Sequence, residues 1–170
     1  IREKGILQPI LLRTHPTDKE KYEIVAGERR WRAAKKVGLE QIPALIKEFS
    51  DAEALEVGLL ENIQRQDLNP IEEADAYRRL AEEFSHTQET LSRILGKSRS
   101  HIANVLRLLT LPQNVKDSLA QGKLSTGHGK ALINSDNPEY LADLILKRGL
   151  SVRQSEILAK QKLTEGDAVP

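Results

Sequence analysis

Short hydrophobic runs separated by polar turns dominate the first 50 residues, and helical periodicity dominates the rest of the chain. The runs Ile6–Arg13, Tyr22–Val25 and Ile42–Phe49 are bounded by Gly, Pro or Asp, which is typical of strands. Between the last two, Glu28–Lys36 combines alanines with alternating basic residues and is followed by Gly38, so this segment predicts a helix with a glycine cap. The first part of the chain is therefore expected to be a small α/β unit.

From residue 51 onward the pattern is almost entirely helical. Asp51 is predicted to cap a helix that runs to about Gln66, and Asn69 with Pro70 is predicted to begin a helix that ends near Phe84. Shorter helices are predicted at Thr87–Leu95, Ser98–Leu109, Pro112–Gln121, Ser125–Ile133, Pro138–Lys147 and Val152–Lys162. We therefore predict an α+β fold with two domains, residues 1–68 and residues 69–170.

Charge is segregated along the chain although the net charge is only +1. Residues 1–50 contain eleven Lys or Arg against seven Asp or Glu, and residues 87–130 contain seven against two. The segment between them, residues 51–86, contains three against ten. Such basic zones fit a polyanionic partner, although charged residues also simply cover the solvent-facing sides of helices.

Composition excludes several classes of protein. The chain contains no cysteine, so disulfides, cysteine-ligated zinc and thiol catalysis are excluded. No apolar run approaches the roughly 20 residues that a membrane-spanning helix needs. We therefore expect a soluble cytoplasmic protein without a membrane partner.

Residues 88–109 have the spacing of a helix-turn-helix. Ser92 provides a small residue where two helices would cross, Gly96 lies in the turn, and Ser98 is placed to cap the second helix. The alternative is an ordinary helical hairpin, but the local basic charge favours binding of double-stranded DNA.

The exposed polar positions of this motif are the candidate DNA contacts. Arg99, Ser100, His101 and Asn104 are placed to face base edges or phosphates, although His101 could instead pack locally. Lys97 and Arg107 are expected near backbone phosphates.

The segment Ala26–Lys36, AGERRWRAAKK, places a glycine and several cations where a predicted strand turns into a helix. Free amides at a helix start bind anions, and the forked donors of Arg29 and Arg30 suit phosphate oxygens. The anion could be a nucleotide or a single DNA phosphate. We expect Trp31 and Ala34 to face the core.

A second candidate site lies at the end of the next predicted helix. Glu61 and Asn62 offer a carboxylate and an amide oxygen, which are hard ligands suited to Mg²⁺, and Arg65 follows within about one turn. The alternative is that Glu61 and Arg65 form only a surface salt bridge, worth roughly 0.3–0.5 kcal/mol.

The segments GILQPILLR, GERRWRAA and ENIQRQDLNPIEEA, followed by the helix-turn-helix, resemble the ParB chromosome-partitioning family in this order and spacing. The resemblance implies a clamp that binds and hydrolyses CTP, loads at a centromere-like DNA site called parS, and slides away from it. It implies an N-terminal CTP-binding domain related to the sulfiredoxin fold. It also implies self-association as a homodimer, a location at the nucleoid and, in the full-length protein, the ParA ATPase and a condensin-type SMC complex as partners. We expect a core fragment that lacks the ParA-stimulating tail and the C-terminal dimerisation domain.

The resemblance assigns roles position by position. Gly27, Glu28, Arg29 and Arg30 match the triphosphate cradle, and Gln8 matches the segment at the cytosine end. Glu61 and Asn62 match the residues that serve Mg²⁺ and hydrolysis, which makes Glu61 the candidate catalytic residue, and Arg65 matches a phosphate-contacting arginine. The DNA-binding set that we predict is Gln88, Lys97, Ser98, Arg99, Ser100, His101, Asn104, Lys130 and Arg153.

Three rival functions remain to be weighed. A sulfiredoxin-like enzyme is excluded because it needs a catalytic cysteine. A nucleoid-occlusion paralogue that binds another DNA site, and a helix-turn-helix transcription regulator with a non-catalytic N-terminal domain, stay open.

We also expect the segment Gln66–Pro70 to act as a hinge between the two domains.

Overall fold

A computed structural model describes residues 6–65 and 67–160 of the chain. The chain divides into two compact units, unit 1 (residues 1–65) and unit 2 (residues 66–170). Over residues 6–65, unit 1 contains three strands and two helices: β1 Ile10–Thr14, β2 Tyr22–Ala26, α1 Glu28–Lys36, β3 Ala44–Ile46 and α2 Asp51–Ile63. The predicted α+β class is confirmed, and α1 has the predicted bounds.

The sheet of unit 1 is mixed, with strand order β2-β1-β3. Strand β1 pairs antiparallel with β2, with Leu12 opposite Ile24, and parallel with β3, with Ile10 opposite Ala44. Strand β1 begins at Ile10 rather than at the predicted residue 6, directly after Pro9, which has no N–H to give to a ladder.

Alternation along β1 directs side chains to opposite faces of this sheet. Ile10 and Leu12 lie on the face that carries α1, and the Arg13 side chain points the other way, towards α2. Arg13 is almost fully buried, and its guanidinium contacts Glu23 and Asp51 at 2.7 Å each and the carbonyl of Phe49 at 3.4 Å. These contacts tie β1 to β2 and to the start of α2, and they hold the pKa of Arg13 above its ordinary value, chiefly through the bond to Glu23.

The predicted cap of α2 is wrong by one residue. Ser50, not Asp51, occupies the N-cap position and accepts a hydrogen bond from the N–H of Glu53. The Glu53 carboxylate accepts in return from the N–H and hydroxyl of Ser50, at 2.9 and 2.8 Å. Serine prevails because this reciprocal box satisfies donors at both positions, whereas Asp51 has its carboxylate on Arg13.

Within the described residues of unit 2, every regular element is a helix. Its helices are α3 Pro70–Glu83, α4 Gln88–Leu95, α5 Arg99–Arg107, α6 Gln113–Ala120, α7 Thr126–Ile133, α8 Pro138–Arg148 and α9 Val152–Ala159, with a short 3₁₀ turn at Leu108–Thr110. The buried side chains that form its main core are Leu108, Leu111, Val115, Leu119, Leu124, Ala131, Leu132, Leu141, Ala142, Leu144, Ile145, Leu158 and Ala159.

The start of α3 follows the prediction from the sequence. Asn69 is the N-cap and accepts from the N–H groups of Ile71 and Glu72 at 3.0 Å, and Pro70 is the first helical residue. The predicted hinge includes Gln66, which lies outside the described residues, so the hinge stays a prediction. Over the described part of the chain, each helix is too short or too polar to cross a membrane.

Candidate functional site

The predicted corner between β2 and α1 is formed by Gly27. This residue has a positive φ of 96° and is the N-cap of α1, and a Cβ at this position would lie 2.9 Å from Cγ2 of Ile10. Only glycine fits both the left-handed backbone and the close approach to β1. The N–H groups of Arg30 and Trp31 donate to the carbonyl of Gly27 at 3.0 and 3.1 Å, so the donors that the corner can present to an anion are the first two amides of α1, those of Glu28 and Arg29.

Arg30 joins this corner to the segment that leads into β1. Its Nη1 donates to the backbone carbonyls of Gln8 and Pro9, both at 2.8 Å. The structure thus brings together Gln8 and Arg30, which the family resemblance assigns to opposite ends of one nucleotide. The other N–H groups of the Arg30 guanidinium can donate hydrogen bonds to phosphate oxygens. The contact of Arg30 with phosphate stays a prediction.

The other two candidates at the corner lie on the surface of α1. Glu28 is exposed and accepts from Arg32 at 2.7 Å, one turn further along the helix. Arg29 is exposed as well. Because α1 ends with Lys35 and Lys36, basic side chains are present at both of its ends.

The prediction that Trp31 faces the core is wrong, whereas Ala34 is buried as expected. Trp31 is 37% exposed, and Nζ of Lys35 lies 5.3 Å from the centroid of its ring. The indole borders an open cleft of about 500 Å³ between α1 and the sheet, together with Leu12 and Leu39. The described part of the sheet has only three strands. A sheet of this width is too narrow to cover the indole of Trp31.

Glu61 and Asn62 lie in the last turn of α2, and Arg65 follows the helix. All three side chains are exposed, and Nη1 of Arg65 lies 3.5 Å from Oδ1 of Asn62, at the outer limit of a hydrogen bond. Within residues 6–65 and 67–160, no group of three or more His, Asp or Glu side chains could hold a metal ion. Glu61 and Asn62 could supply only two of the six ligands that Mg²⁺ takes. Phosphate oxygens and water would have to supply the others.

Helices α4 and α5 form the predicted helix-turn-helix. Gly96 ends α4 with φ 63°, and the hydroxyl of Ser92 donates to the carbonyl of Lys97 at 2.5 Å across the turn. Leu91, Ile102 and Val105 are almost completely buried and lock the two helices together.

The predicted DNA contacts fall into groups by exposure. The exposed residues are Gln88, Lys97, Ser98, Arg99, Ser100, Lys130 and Arg153. Ser98 caps α5 through a 3.1 Å bond from the N–H of His101, and Asn104 is half-buried. Nη2 of Arg107 contacts Oδ1 of Asn134 at 3.2 Å, which joins α5 to the end of α7.

His101 contacts another helix of unit 2, which the sequence left open as an alternative to a DNA contact. Its Nε2 lies 3.4 Å from Oε1 of Glu73 on α3, and the same oxygen accepts from the hydroxyl of Tyr77 at 2.5 Å. Burial, together with the bond to Glu73, raises the pKa of Tyr77 well above its ordinary value. The i,i+4 spacing of Glu73 and Tyr77 is visible in the sequence, but their partner on α5 is not.

Two family models cover almost the whole chain. Residues 1–63 match the ParB N-terminal domain, and residues 66–164 match the ParB HTH domain. The chain is 50% identical over 161 residues to the chromosome-partitioning protein ParB of Caulobacter vibrioides, which covers 95% of this chain and 53% of that protein. The chain thus spans about half the length of the curated relatives it matches.

Two solved structures are similar as well. The C-terminally truncated ParB from Caulobacter crescentus complexed to the centromeric parS site is 49% identical, with a TM-score of 0.86 over 91% of this chain and 82% of that one. The same truncated protein complexed with CTP-γ-S is 50% identical over 86% of this chain and 81% of that one. Its TM-score is 0.43, so that superposition carries no argument about the structure of this chain.

Proposed function

Because this chain belongs to the ParB family of chromosome-partitioning proteins, we propose that it binds parS DNA through unit 2 and CTP through unit 1. In this proposal CTP binding and hydrolysis close and reopen a sliding DNA clamp. The observation that carries the proposal is that one chain combines a glycine corner, tied by Arg30 to the start of β1, with a packed helix-turn-helix.

The DNA part is supported by the arrangement of α4 and α5. Arg99 and Ser100 occupy the exposed first turn of α5, the position from which a recognition helix contacts base edges in the major groove. Lys97, Lys130 and Arg153 supply exposed cations for phosphates. A relative that is 49% identical has been crystallised on parS.

The nucleotide part is supported by the corner at Gly27. Its backbone permits close approach of phosphate to the amides at the start of α1, and Arg29 adds an exposed cation beside them. The carbonyls of Gln8 and Pro9 are held within hydrogen-bonding distance of Arg30, which places the predicted base-binding segment next to the corner. The choice of cytosine rests on the family: a relative that is 50% identical has been crystallised with CTP-γ-S.

For hydrolysis, we propose that Glu61 orients the attacking water or supports the metal. Glu61 and Asn62 would hold Mg²⁺, and Arg65 would contact the phosphates of the nucleotide. A bound Mg²⁺ would neutralise developing charge on the phosphate oxygens. The exposed carboxylate of Glu61 is available to accept a proton or a hydrogen bond from water.

The clamp part requires a second copy of the chain. We propose a homodimer that acts at the nucleoid in the cytoplasm, with ParA and an SMC complex as partners of the full-length protein. These assignments rest on family membership alone.

The experiment that tests the proposal measures phosphate release from CTP, ATP, GTP and UTP, each with a parS duplex or a scrambled duplex. We expect turnover of CTP with parS, and we expect Glu61→Gln to abolish it with little change in melting temperature. Glu48→Gln, which removes an exposed carboxylate from the same unit, is the matched control and should hydrolyse CTP normally. Normal hydrolysis by Glu61→Gln would return Glu61 to a surface role.

Clamp closure is tested by crosslinking. The chain has no cysteine, so a single Glu82→Cys change at an exposed position of α3 gives a unique reactive site. A bismaleimide should link two copies much faster with CTP and parS together than with either alone, because the two ligands favour the same closed state. Crosslinking that ignores both ligands would contradict the clamp.

A further inference from the structure

Three side chains connect α3 to the recognition helix α5. The hydroxyl of Tyr77, a fully buried residue of α3, donates to Oε1 of Glu73 at 2.5 Å. The same oxygen lies 3.4 Å from Nε2 of His101 on α5, at the long end for a hydrogen bond. The Glu73 and His101 side chains are 28% and 35% exposed, so water only partly competes for this contact.

The chemistry of the three groups assigns their roles. An ionised carboxylate can only accept hydrogen bonds, so both Tyr77 and Nε2 of His101 must act as donors. This fixes a proton on Nε2 of the imidazole and directs that edge of the ring towards α3. Glu73 is thereby held by one donor from its own helix and one from α5.

The contact between His101 and Glu73 matters because His101 lies in the first turn of α5. His101 is the third residue of the helix, and its N–H is bonded to the capping hydroxyl of Ser98. Arg99 and Ser100, which carry the proposed base contacts, directly precede it. A side chain fixed to α3 at this point restrains the rotation of the first turn of α5 about its axis.

We propose that Glu73 is a positioning residue for DNA recognition: through His101 it sets the orientation in which Arg99 and Ser100 meet the base edges. This inference rests on the proposed binding of parS. Glu73 belongs to α3 and acts through the imidazole rather than by touching DNA.

A purely electrostatic role and a positioning role of Glu73 predict opposite changes in the affinity for DNA when its charge is removed. Glu73→Gln removes a negative charge from a protein that binds a polyanion, so charge alone should strengthen binding to any DNA. If Glu73 positions α5, the same change should weaken binding to parS and leave binding to scrambled DNA unchanged or slightly stronger.

The test measures the affinity of the 170-residue chain for a parS duplex and for a scrambled duplex of equal length, at one salt concentration. The matched control is Asp75→Asn, which removes the same charge from the same helix, where Asp75 makes only an exposed ion pair with Arg78. We expect Glu73→Gln to lose roughly 5- to 30-fold in affinity for parS, the factor that corresponds to a free-energy loss of about 1–2 kcal/mol. Asp75→Asn should leave the preference for parS unchanged.

A Glu73→Gln variant that keeps its preference for parS, as the control does, would overturn the inference. Its melting temperature is measured alongside, and if it is unfolded His101→Gln decides the question. We expect His101→Gln to lose the preference for parS to a similar extent, and the losses of the two changes combined should not add. An unchanged preference in His101→Gln would overturn the inference, whereas a wild-type chain without any preference would overturn the proposed function and this inference with it.

Discussion

Unit 1 and unit 2 differ in how much apolar surface they bury. Unit 2 builds a continuous core of thirteen buried side chains contributed by α6 to α9 and the adjoining turns. In the described part of unit 1, the buried apolar side chains are Ile10, Val25, Ala34 and Leu59. The large apolar side chains that unit 1 exposes are Leu7, Tyr22, Trp31, Leu39, Leu45, Ile46 and Leu55.

The comparison shows that the two sites are held in place by different means. The recognition helix of unit 2 is locked by buried Leu91, Ile102 and Val105, so its geometry depends on packing. The corner of unit 1 is tied by hydrogen bonds from Arg30 to the backbone before β1, and Arg13 ties β1 to β2 and to the start of α2. We therefore expect the proposed DNA site to be sensitive to loss of core volume and the proposed nucleotide site to be sensitive to loss of polar contacts.

The largest expected effect is a cavity in the core of unit 2. Leu132→Ala removes a fully buried side chain and should lower the free energy of unfolding by about 2–5 kcal/mol. Leu55→Ala in unit 1 removes an identical side chain that is 51% exposed, and should change it by less than about 0.5 kcal/mol. Urea unfolding followed by circular dichroism measures both, and equal losses would break the comparison.

The next effect separates close packing from backbone strain in unit 1. Gly27→Ala and Gly38→Ala both place a side chain at a positive φ, which costs about 1–3 kcal/mol. Only Gly27 has neighbours within 4 Å of the new Cβ, namely Ile10 and Arg30. Titration calorimetry should show that Gly27→Ala loses CTP binding while Gly38→Ala keeps it, and loss in both would assign the effect to strain alone.

A third prediction separates base recognition from phosphate binding in unit 2. Arg99→Ala should cost about 1–3 kcal/mol of affinity for parS and little on scrambled DNA, because we propose that Arg99 contacts base edges. Lys97→Ala should weaken binding to both duplexes and reduce the slope of log affinity against log salt by about one. Fluorescence anisotropy at several salt concentrations checks both, and equal losses of Arg99→Ala on the two duplexes would limit Arg99 to the backbone.

The smallest effect concerns the polar cap of α2 in unit 1. Ser50→Ala should cost about 1 kcal/mol near neutral pH. Hydrogen bonds from the N–H and hydroxyl of Ser50 lower the pKa of Glu53 below its ordinary 4.5. The cap therefore stabilises the fold above that pH and loses its effect as the pH falls through the lowered value. Unfolding measured from pH 7 to pH 3 should show the cost of Ser50→Ala shrinking, and a cost that is constant with pH would exclude this linkage.

Local structure could be predicted from the sequence because its causes are local. The bounds of α1, the caps Asn69 and Ser98, and the glycine turn of the helix-turn-helix follow from neighbouring residues. The prediction of Asp51 as the cap of α2 was wrong, since the cap is Ser50 and the structure engages Asp51 with Arg13, which is distant in sequence.

The parts that could not be predicted depend on contacts between distant segments. The exposure of Trp31 depends on the width of the sheet, which the helical pattern of α1 does not reveal. The bonds from Arg30 to Gln8 and Pro9, and the contact of His101 with Glu73, join residues 21 to 28 positions apart. Both place polar side chains against other elements, whereas the sequence alone favoured direct contacts with ligands.

The central claim is that unit 1 binds CTP in a chain whose unit 2 binds parS, and titration calorimetry with the four nucleoside triphosphates tests it most directly. With Mg²⁺ and a parS duplex present, we expect CTP to bind well above ATP, GTP and UTP. Arg30→Ala should weaken that binding by roughly 1.5–3 kcal/mol, since it loses both a charged donor and the hold on the segment before β1. Equal binding of all four nucleotides, or CTP binding that ignores Arg30→Ala, would contradict the account.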